Sequence, residues 1–325
     1  MSRELKIGTR GSQLALFQAN WVKDQLVQAH PDLKVILIKI KTTGDKIQDA
    51  PLAKIGGKGL FVKEIEEALL QKRIDLAVHS IKDVPIEIPQ GLHLSVITKR
   101  EDPRDVFISK DGKTLKDLPQ NARIGTSSLR RQAQLLHFRS DLEFIPLRGN
   151  VETRLKKLNS MHLDGMILAL AGVKRLGLEE NITEIISPER SLPAIGQGAL
   201  GIETRVDDRE VNEKIQFLND EESWIAVSAE RAFLKKLEGG CQVPIAAFAR
   251  IIGTTLTIDG LVGTIDGKRL IRHHQEGPIE KAESLGIELA EILLGKGARE
   301  ILNEIYQRSG PVIGSPPNLG ARVKD

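Results

Sequence analysis

Basic side chains in this chain collect where strands give way to helices. Arg10 lies in the first strand-to-helix loop, and Arg130 and Arg131 open the helix after Thr126-Ser127-Ser128. Arg148 stands in Leu147-Arg148-Gly149-Asn150, before a helix carrying Arg154, and Lys174 and Arg175 follow a strand expected to end at Ala171-Gly172. Beyond the carboxyl ends of strands in an open α/β sheet, helix N-termini present free amide donors, and an arginine adds a planar fork matched to a carboxylate. One such arginine is ordinarily a solvated charge or a surface ion pair. Several at the same kind of position, drawn from two halves of the chain, point to a cleft for a large or polycarboxylate anion.

A carboxylate belongs to the same place. His79-Ser80-Ile81-Lys82-Asp83-Val84-Pro85 follows a strand of buried type, which sets Lys82 and Asp83 at its carboxyl end. Among arginines Asp83 stays ionised, and it could stabilise a developing cation or move a proton. A loop ion pair explains the spacing equally well. The third candidate is Cys241, the only cysteine in 325 residues, in Glu238-Gly239-Gly240-Cys241-Gln242-Val243-Pro244. A lone thiol forms no internal disulfide, and without a second cysteine no metal site is expected. The glycines and the proline predict a tight turn where a bulky group on sulfur could approach the backbone. By itself the residue favours the commoner state of a free cysteine, a small buried hydrophobe. Gly56-Gly57-Lys58-Gly59 lacks phosphate-loop spacing and reads as a mobile loop with one cation.

The elements that must position these residues come from periodicity. Leu5 to Thr9 reads as a strand, and Ser12 caps a helix from about Leu14 to Ala29 with Leu14, Phe17, Trp21, Val22 and Leu26 at helical spacing. A strand over Val35 to Ile40, a helix over Phe61 to Lys72 and a strand over Ile74 to Ser80 follow, so parallel βαβ units are expected. The pattern restarts at Arg123-Ile124-Gly125-Thr126. A helix from about Leu129 to Phe138, a strand at Glu143 to Pro146, a helix over Val151 to Leu158 and a strand over Met166 to Ala171 complete a second half. Lys99 to Arg104 and Ser191 to Gly198 are candidate hinges. From about residue 220 the texture changes to a helix over Trp224 to Leu237, short antiparallel strands with turns at Asp259-Gly260 and Asp266-Gly267, and helices over Ala282 to Leu294 and Arg299 to Gln307. The Pro- and Gly-rich tail from Pro311 is expected to be disordered.

Composition narrows the function. A chain of this length is expected to form two or three domains. Basic residues number 47 against 44 acidic, a formal net charge of +3, and aromatics are 3%, so neither a basic stripe nor a base-stacking platform for nucleic acid is supplied. The N-terminus has no apolar signal region, and no apolar run is long enough for a bilayer. With one cysteine, this indicates a reducing, cytoplasmic setting.

Six segments together carry a resemblance: Gly56 to Phe61, His79 to Pro85, Gly125 to Arg131, Leu147 to Asn150, Leu192 to Gly198, and Glu238 to Cys241. In this order, over about residues 4 to 308, the chain resembles the hydroxymethylbilane synthases, also called porphobilinogen deaminases. The resemblance implies a monomeric transferase of porphyrin (heme) biosynthesis that condenses four porphobilinogen molecules head to tail, releases ammonia at each step, and hydrolytically frees hydroxymethylbilane. It implies a dipyrromethane cofactor joined by a thioether to Cys241, and Asp83 as the residue that stabilises cationic pyrrole species and assists proton transfer. Lys82, Asp83, Thr126, Ser128, Arg130, Arg131, Arg154 and Arg175 match cofactor-binding positions. Arg10, Ser12, Arg148 and Gln197 match substrate-binding ones, and Lys58 and Phe61 match the mobile loop. Two α/β domains resembling periplasmic binding proteins are implied, residues 1–98 with 198–219 and residues 99–197, with a cleft between them. A small α+β domain over 220–310 carries the cysteine, and residues 311–325 form the tail. A non-catalytic binder of small carboxylates is the competing reading, distinguished by whether porphobilinogen is consumed. An arginine-rich RNA binder would show steep salt dependence.

Overall fold

The structure, a computed structural model, describes residues 4–46, 59–239 and 243–308. Lys58, Cys241 and the tail from residue 311 lie outside them. The chain opens with β1 (Glu4–Thr9), α1 (Gln13–Ala29), β2 (Lys34–Lys39), a short α2 (Thr43–Lys46), α3 (Lys63–Leu70), β3 (Leu76–Ser80) and β4 (Leu92–Ile97). Ser12 caps α1, its Oγ accepting from the Ala15 N–H at 3.3 Å. The face of α1 differs from the expected one. Gln18, Ala19, Val22 and Leu26 are buried, whereas Phe17 and Trp21 are 45% and 37% exposed. Those two rings lie on the flank of the helix away from the sheet, so hydrophobicity alone misjudged the buried arc.

The second group comprises β5 (Asp105–Ser109), β6 (Arg123–Gly125), α4 (Leu129–Phe138), β7 (Glu143–Ile145), α5 (Val151–Ser160), β8 (Gly165–Ala169), α6 (Leu170–Arg175) and β9 (Glu184–Ile186). Here the apolar run at 166–171 is a strand only as far as Ala169. Leu170 and Ala171 begin α6, so Lys174 and Arg175 close a helix rather than follow a strand. The chain then returns as β10 (Leu200–Arg205), followed by α7 (Arg209–Ile215).

The two sheets share one plan. The first has the order β2-β1-β3-β10-β4 and the second β7-β6-β8-β5-β9. In each, three strands run parallel, and the strand beside them is antiparallel: β10 against β3, and β5 against β8. That antiparallel strand reaches each sheet along one of the two crossings, at 98–104 and 187–199. Each sheet is covered by apolar clusters, Leu5, Ile7, Val22 and Leu76 in one and Phe107, Ile124, Leu135 and Ile167 in the other. Each such side chain contributes roughly 1.5–3 kcal/mol by leaving water.

The C-terminal part packs α8 (Glu221–Lys236), α9 (Ala282–Leu293) and α10 (Arg299–Arg308) on an antiparallel sheet of β11 (Ile245–Ile252), β12 (Thr255–Gly263) and β13 (Leu270–Pro278). Asp259-Gly260 is not a turn; it lies inside β12. A Cβ on Gly260 would stand 2.8 Å from both Leu289 and Phe233, so glycine is required by close helix-on-sheet packing rather than by a bend. Asp266-Gly267 does form the hairpin tip, with Gly267 at φ +69°.

Candidate active site

β3 is fully buried apart from Ser80, and its carboxyl end runs into a single 3-10 turn, Ile81 to Asp83. Ile81 is 1% exposed and anchors the turn, its N–H donating to the Ala199 carbonyl at 3.1 Å. Gly196 leaves the room for it. The residue has φ +67°, and a Cβ there would lie 2.1 Å from Ile81 Cγ2. On the far side, Arg231 of α8 donates to the carbonyls of Val84 and Pro85 at 3.2 and 2.7 Å. The backbone around Asp83 is therefore held from both directions. Its side chain is exposed and accepts no hydrogen bond among the described residues.

Arg10, Ser12, Phe61, Ser80 and Asp83 line one pocket at the edge of the first sheet. The Arg10 guanidinium lies 4.2 Å from the Phe61 ring centroid and takes Asp45 through Nε at 3.1 Å. That carboxylate keeps Arg10 oriented, and Thr42 donates to Asp45 in turn. Gln18, buried on α1, donates to Ser80 Oγ at 3.0 Å.

The second sheet brings the cations opposite. Arg154, on α5, donates to the Gly149 carbonyl at 2.8 Å. Burial pushes its guanidinium down to about 10, Arg131 and Arg148 add to the shift, and Asp83 opposes it. Lys82 is pushed down to about 8, first by burial and then by Arg131 and Arg130 against the pull of Asp83 and Asp105. These mutual influences place Lys82 and Asp83 from the first sheet within electrostatic reach of Arg131 and Arg154 from the second. Arg175 donates to the Gly198 carbonyl at 2.7 Å, and burial lowers its pKa against the attraction of Glu101.

Behind this lies Asp105, at the start of β5 and 0% exposed. It accepts from Arg130 Nη1 at 2.8 Å, Arg131 Nη2 at 2.7 Å, Ser191 Oγ at 3.1 Å and Gln197 Nε2 at 2.9 Å. Burial pushes its carboxyl up, but the two guanidiniums outweigh that and hold it well below the usual carboxylate range. Arg130 and Gln197, expected among the ligand-binding residues, are thus engaged in the crossing between the sheets. Arg131 keeps its Nε buried and without a partner among the described residues. Ser128 caps α4 by accepting from the Arg131 N–H, and the Ser128 N–H donates to Thr126 Oγ1 at 3.1 Å, so both hydroxyls shape the loop that presents Arg131. Asp105, Gln18 and Arg231 were missed in the sequence. Asp105 had a signal in retrospect, an acid directly before the apolar run Val106-Phe107-Ile108.

The chain is similar to known proteins over most of its length. Residues 5–213 match the family model described as porphobilinogen deaminase, dipyromethane cofactor binding domain, and residues 224–295 match the porphobilinogen deaminase C-terminal domain. The porphobilinogen deaminase of Geobacter sulfurreducens is 59% identical over 304 residues, covering 94% of this chain and 95% of that protein. That of Geobacter metallireducens is 58% identical over 306 residues, with 94% and 96% covered. Among solved structures, the methionine-binding protein MetQ superposes with a TM-score of 0.43 at 13% identity, over 68% of this chain and 92% of its own.

Proposed function

The chain belongs to the porphobilinogen deaminase family, and from that premise we propose that Asp83 carries the reaction, with the cations of both sheets holding its carboxylate-rich ligands. The activity is that of a transferase of tetrapyrrole biosynthesis: porphobilinogen units are condensed with loss of ammonia on a dipyrromethane cofactor, giving hydroxymethylbilane. What supports the assignment of Asp83 is one observation. Its exposed carboxylate rides on a turn fixed by Ile81 and Arg231, where the charges of Lys82, Arg131 and Arg154 converge.

The residues present suit the cofactor. A dipyrromethane carries several carboxylates, and the site offers Lys82, Arg131, Arg154 and Arg175, with a buried Nε on Arg131 that has no partner among the described residues. When bound, the cofactor supplies the pyrrole carbon to which the first porphobilinogen is joined. Cys241 is its thioether anchor in this reading. Thr126 and Ser128 set the loop that holds Arg131, and Arg130 acts through Asp105. Arg10, Ser12 and Arg148 receive the incoming substrate, with Phe61, and Lys58 outside the described residues, at the loop beside them. Gln197 serves the same site by tying the crossing strand to Asp105. As ammonia leaves porphobilinogen, positive charge develops on the pyrrole. A carboxylate 4 Å away, at an effective dielectric of about 20, stabilises that charge by about 4 kcal/mol, worth roughly three orders of magnitude in rate.

The domain division goes with this reading: 1–98 with 198–219, 99–197, and 220–310, each built on one of the three sheets. So does a monomeric, cytoplasmic enzyme with no nucleic-acid partner, the last supported by a net charge of only +3. No helix of the described residues is long and apolar enough to cross a membrane. The test is the intact mass of the denatured protein beside a Cys241→Ala variant. A covalent excess matching a dipyrromethane is expected in the wild type alone. A wild type that carries none, gains no mass with porphobilinogen and consumes none of it would overturn the reading.

A further inference from the structure

Beneath the Asp83 turn lies a cluster of ionisable groups that the reaction does not use. His79, the penultimate residue of β3, meets Glu203 of β10 with Nε2 and Oε2 3.0 Å apart, the two side chains 4% and 0% exposed. Glu66, on the inward face of α3, is 7% exposed. Glu66 Oε1 and Glu203 Oε1 are both buried without a partner among the described residues. Helix α3 packs on both β3 and β10, on the sheet face where Ala77 meets Ile65 and Leu69 and where Glu203 lies opposite Ala77. Two buried carboxylates beside one imidazole there cannot both remain charged without a large desolvation cost. An orphaned oxygen on each calls for an explanation beyond packing.

We infer that Glu66 is a positioning residue for Asp83: held as the neutral acid, it leaves Glu203 to pair with His79, and that contact fixes the end of β3 from which the Asp83 turn departs. Burial first and the charge of Glu203 second push the Glu66 carboxyl up to about 7, with His79 opposing and Glu67 adding. The other charged neighbours of the cluster are Arg231, whose pKa burial lowers and Glu203 raises, and Arg205 of β10, which donates to the Leu69 carbonyl of α3 at 2.9 Å. The strands β1 and β4, which also pack on α3, carry Glu4, Lys6 and His93. Arg231 grips the carbonyls on the other side of Asp83, and the charge of Glu203 acts on that guanidinium as well. When Glu66 ionises, its charge competes with Glu203 for the imidazole, and the register of Ser80 to Asp83 against the cleft loosens.

This rests on Asp83 carrying the reaction. The experiment is kcat and thermal unfolding of the holoenzyme and of Glu66→Gln across about pH 6 to 9. The two enzymes should match in kcat near pH 6. The wild type should then fall about fivefold or more relative to the variant as pH rises through the Glu66 titration, with KM unchanged. Its unfolding temperature should fall relative to that of the variant as pH rises to about 7 and level off above it. Superimposable kcat profiles overturn the inference, even where the unfolding profiles differ. If Glu66→Gln does not fold, the wild type decides by infrared spectroscopy: a protonated-carboxyl stretch at about pH 6 that is lost by about pH 8 supports the inference, and its absence overturns it. Turnover by an Asp83→Ala enzyme would instead sink the assignment of Asp83 and leave the unfolding comparison standing.

Discussion

Asp83 and Asp105 sit at comparable places, each at a strand end facing the cations between the two sheets, yet they are opposites. Asp105 is wholly buried and accepts from two arginines, a serine and a glutamine amide. Asp83 is exposed and accepts nothing among the described residues, although its backbone is tied down on either side. A carboxylate saturated with donors has no capacity left for a reacting charge. One held in place but unsaturated can answer a charge that appears only during reaction, which is the requirement for lowering a barrier rather than tightening a ground state.

Exchanging their roles by mutation should expose the difference. Asp83→Ala should lower kcat by roughly 10²–10⁴-fold while leaving unfolding within about 0.5 kcal/mol of wild type, because the side chain is exposed. Near-normal steady-state turnover would place the chemistry elsewhere. Asp105→Asn should do the reverse. It strands Arg130 and Arg131 as buried charges without a counter-ion, at a cost of about 3–5 kcal/mol in urea unfolding. A variant as stable as wild type would show that the arginines find another anion. The same depressed carboxyl sets an acid limit. Its folded pKa lies below its unfolded one, so its contribution is complete above the ordinary carboxylate range and is lost as pH falls from that range to the depressed folded value.

The smallest expected effect is on Lys82. With its pKa pushed down to about 8, it should react faster than other lysines with an amine-directed reagent near that pH, read by peptide mapping. Its folded pKa is below the unfolded one, so stability gains from this group as pH rises from about 8 towards the ordinary lysine value. Labelling no faster than an exposed lysine would mean that Lys82 is not enclosed by the arginines.

Much of the secondary structure was legible because local rules governed it. Ser12 caps the helix it was expected to cap, and α4 runs over Leu129–Phe138 as its periodicity predicts, with Ser128 as its cap. Where long-range packing governed, local rules failed. Leu170 and Ala171 continue an apolar run but turn into a helix, and Gly260 sits in a strand because Phe233 and Leu289 occupy the space of a side chain. The strand β10 was missed altogether. All six of its residues are buried, three of them polar, since Glu203 meets His79 and Arg205 donates to the carbonyls of Leu69 and Ile74. Without those distant partners Glu-Thr-Arg reads as surface.

The amino-acid order by itself determined the inventory of the site: arginines at helix starts, Lys82-Asp83 after a buried strand, and one cysteine between glycines and a proline. It also determined the family, because six motifs in order are far more specific than any one. Tertiary structure alone decided which groups remain open for chemistry. Arg130 and Arg131 adjoin in sequence and both meet Asp105, yet of the two Arg131 keeps a buried nitrogen without a partner among the described residues. That choice depends on the start of β5 and the 187–199 crossing bringing residues some 25 to 62 positions apart into contact with the two arginines. Periodicity carries information about neighbours a few residues away. Solvation and pairing depend on which distant side chains share the same volume.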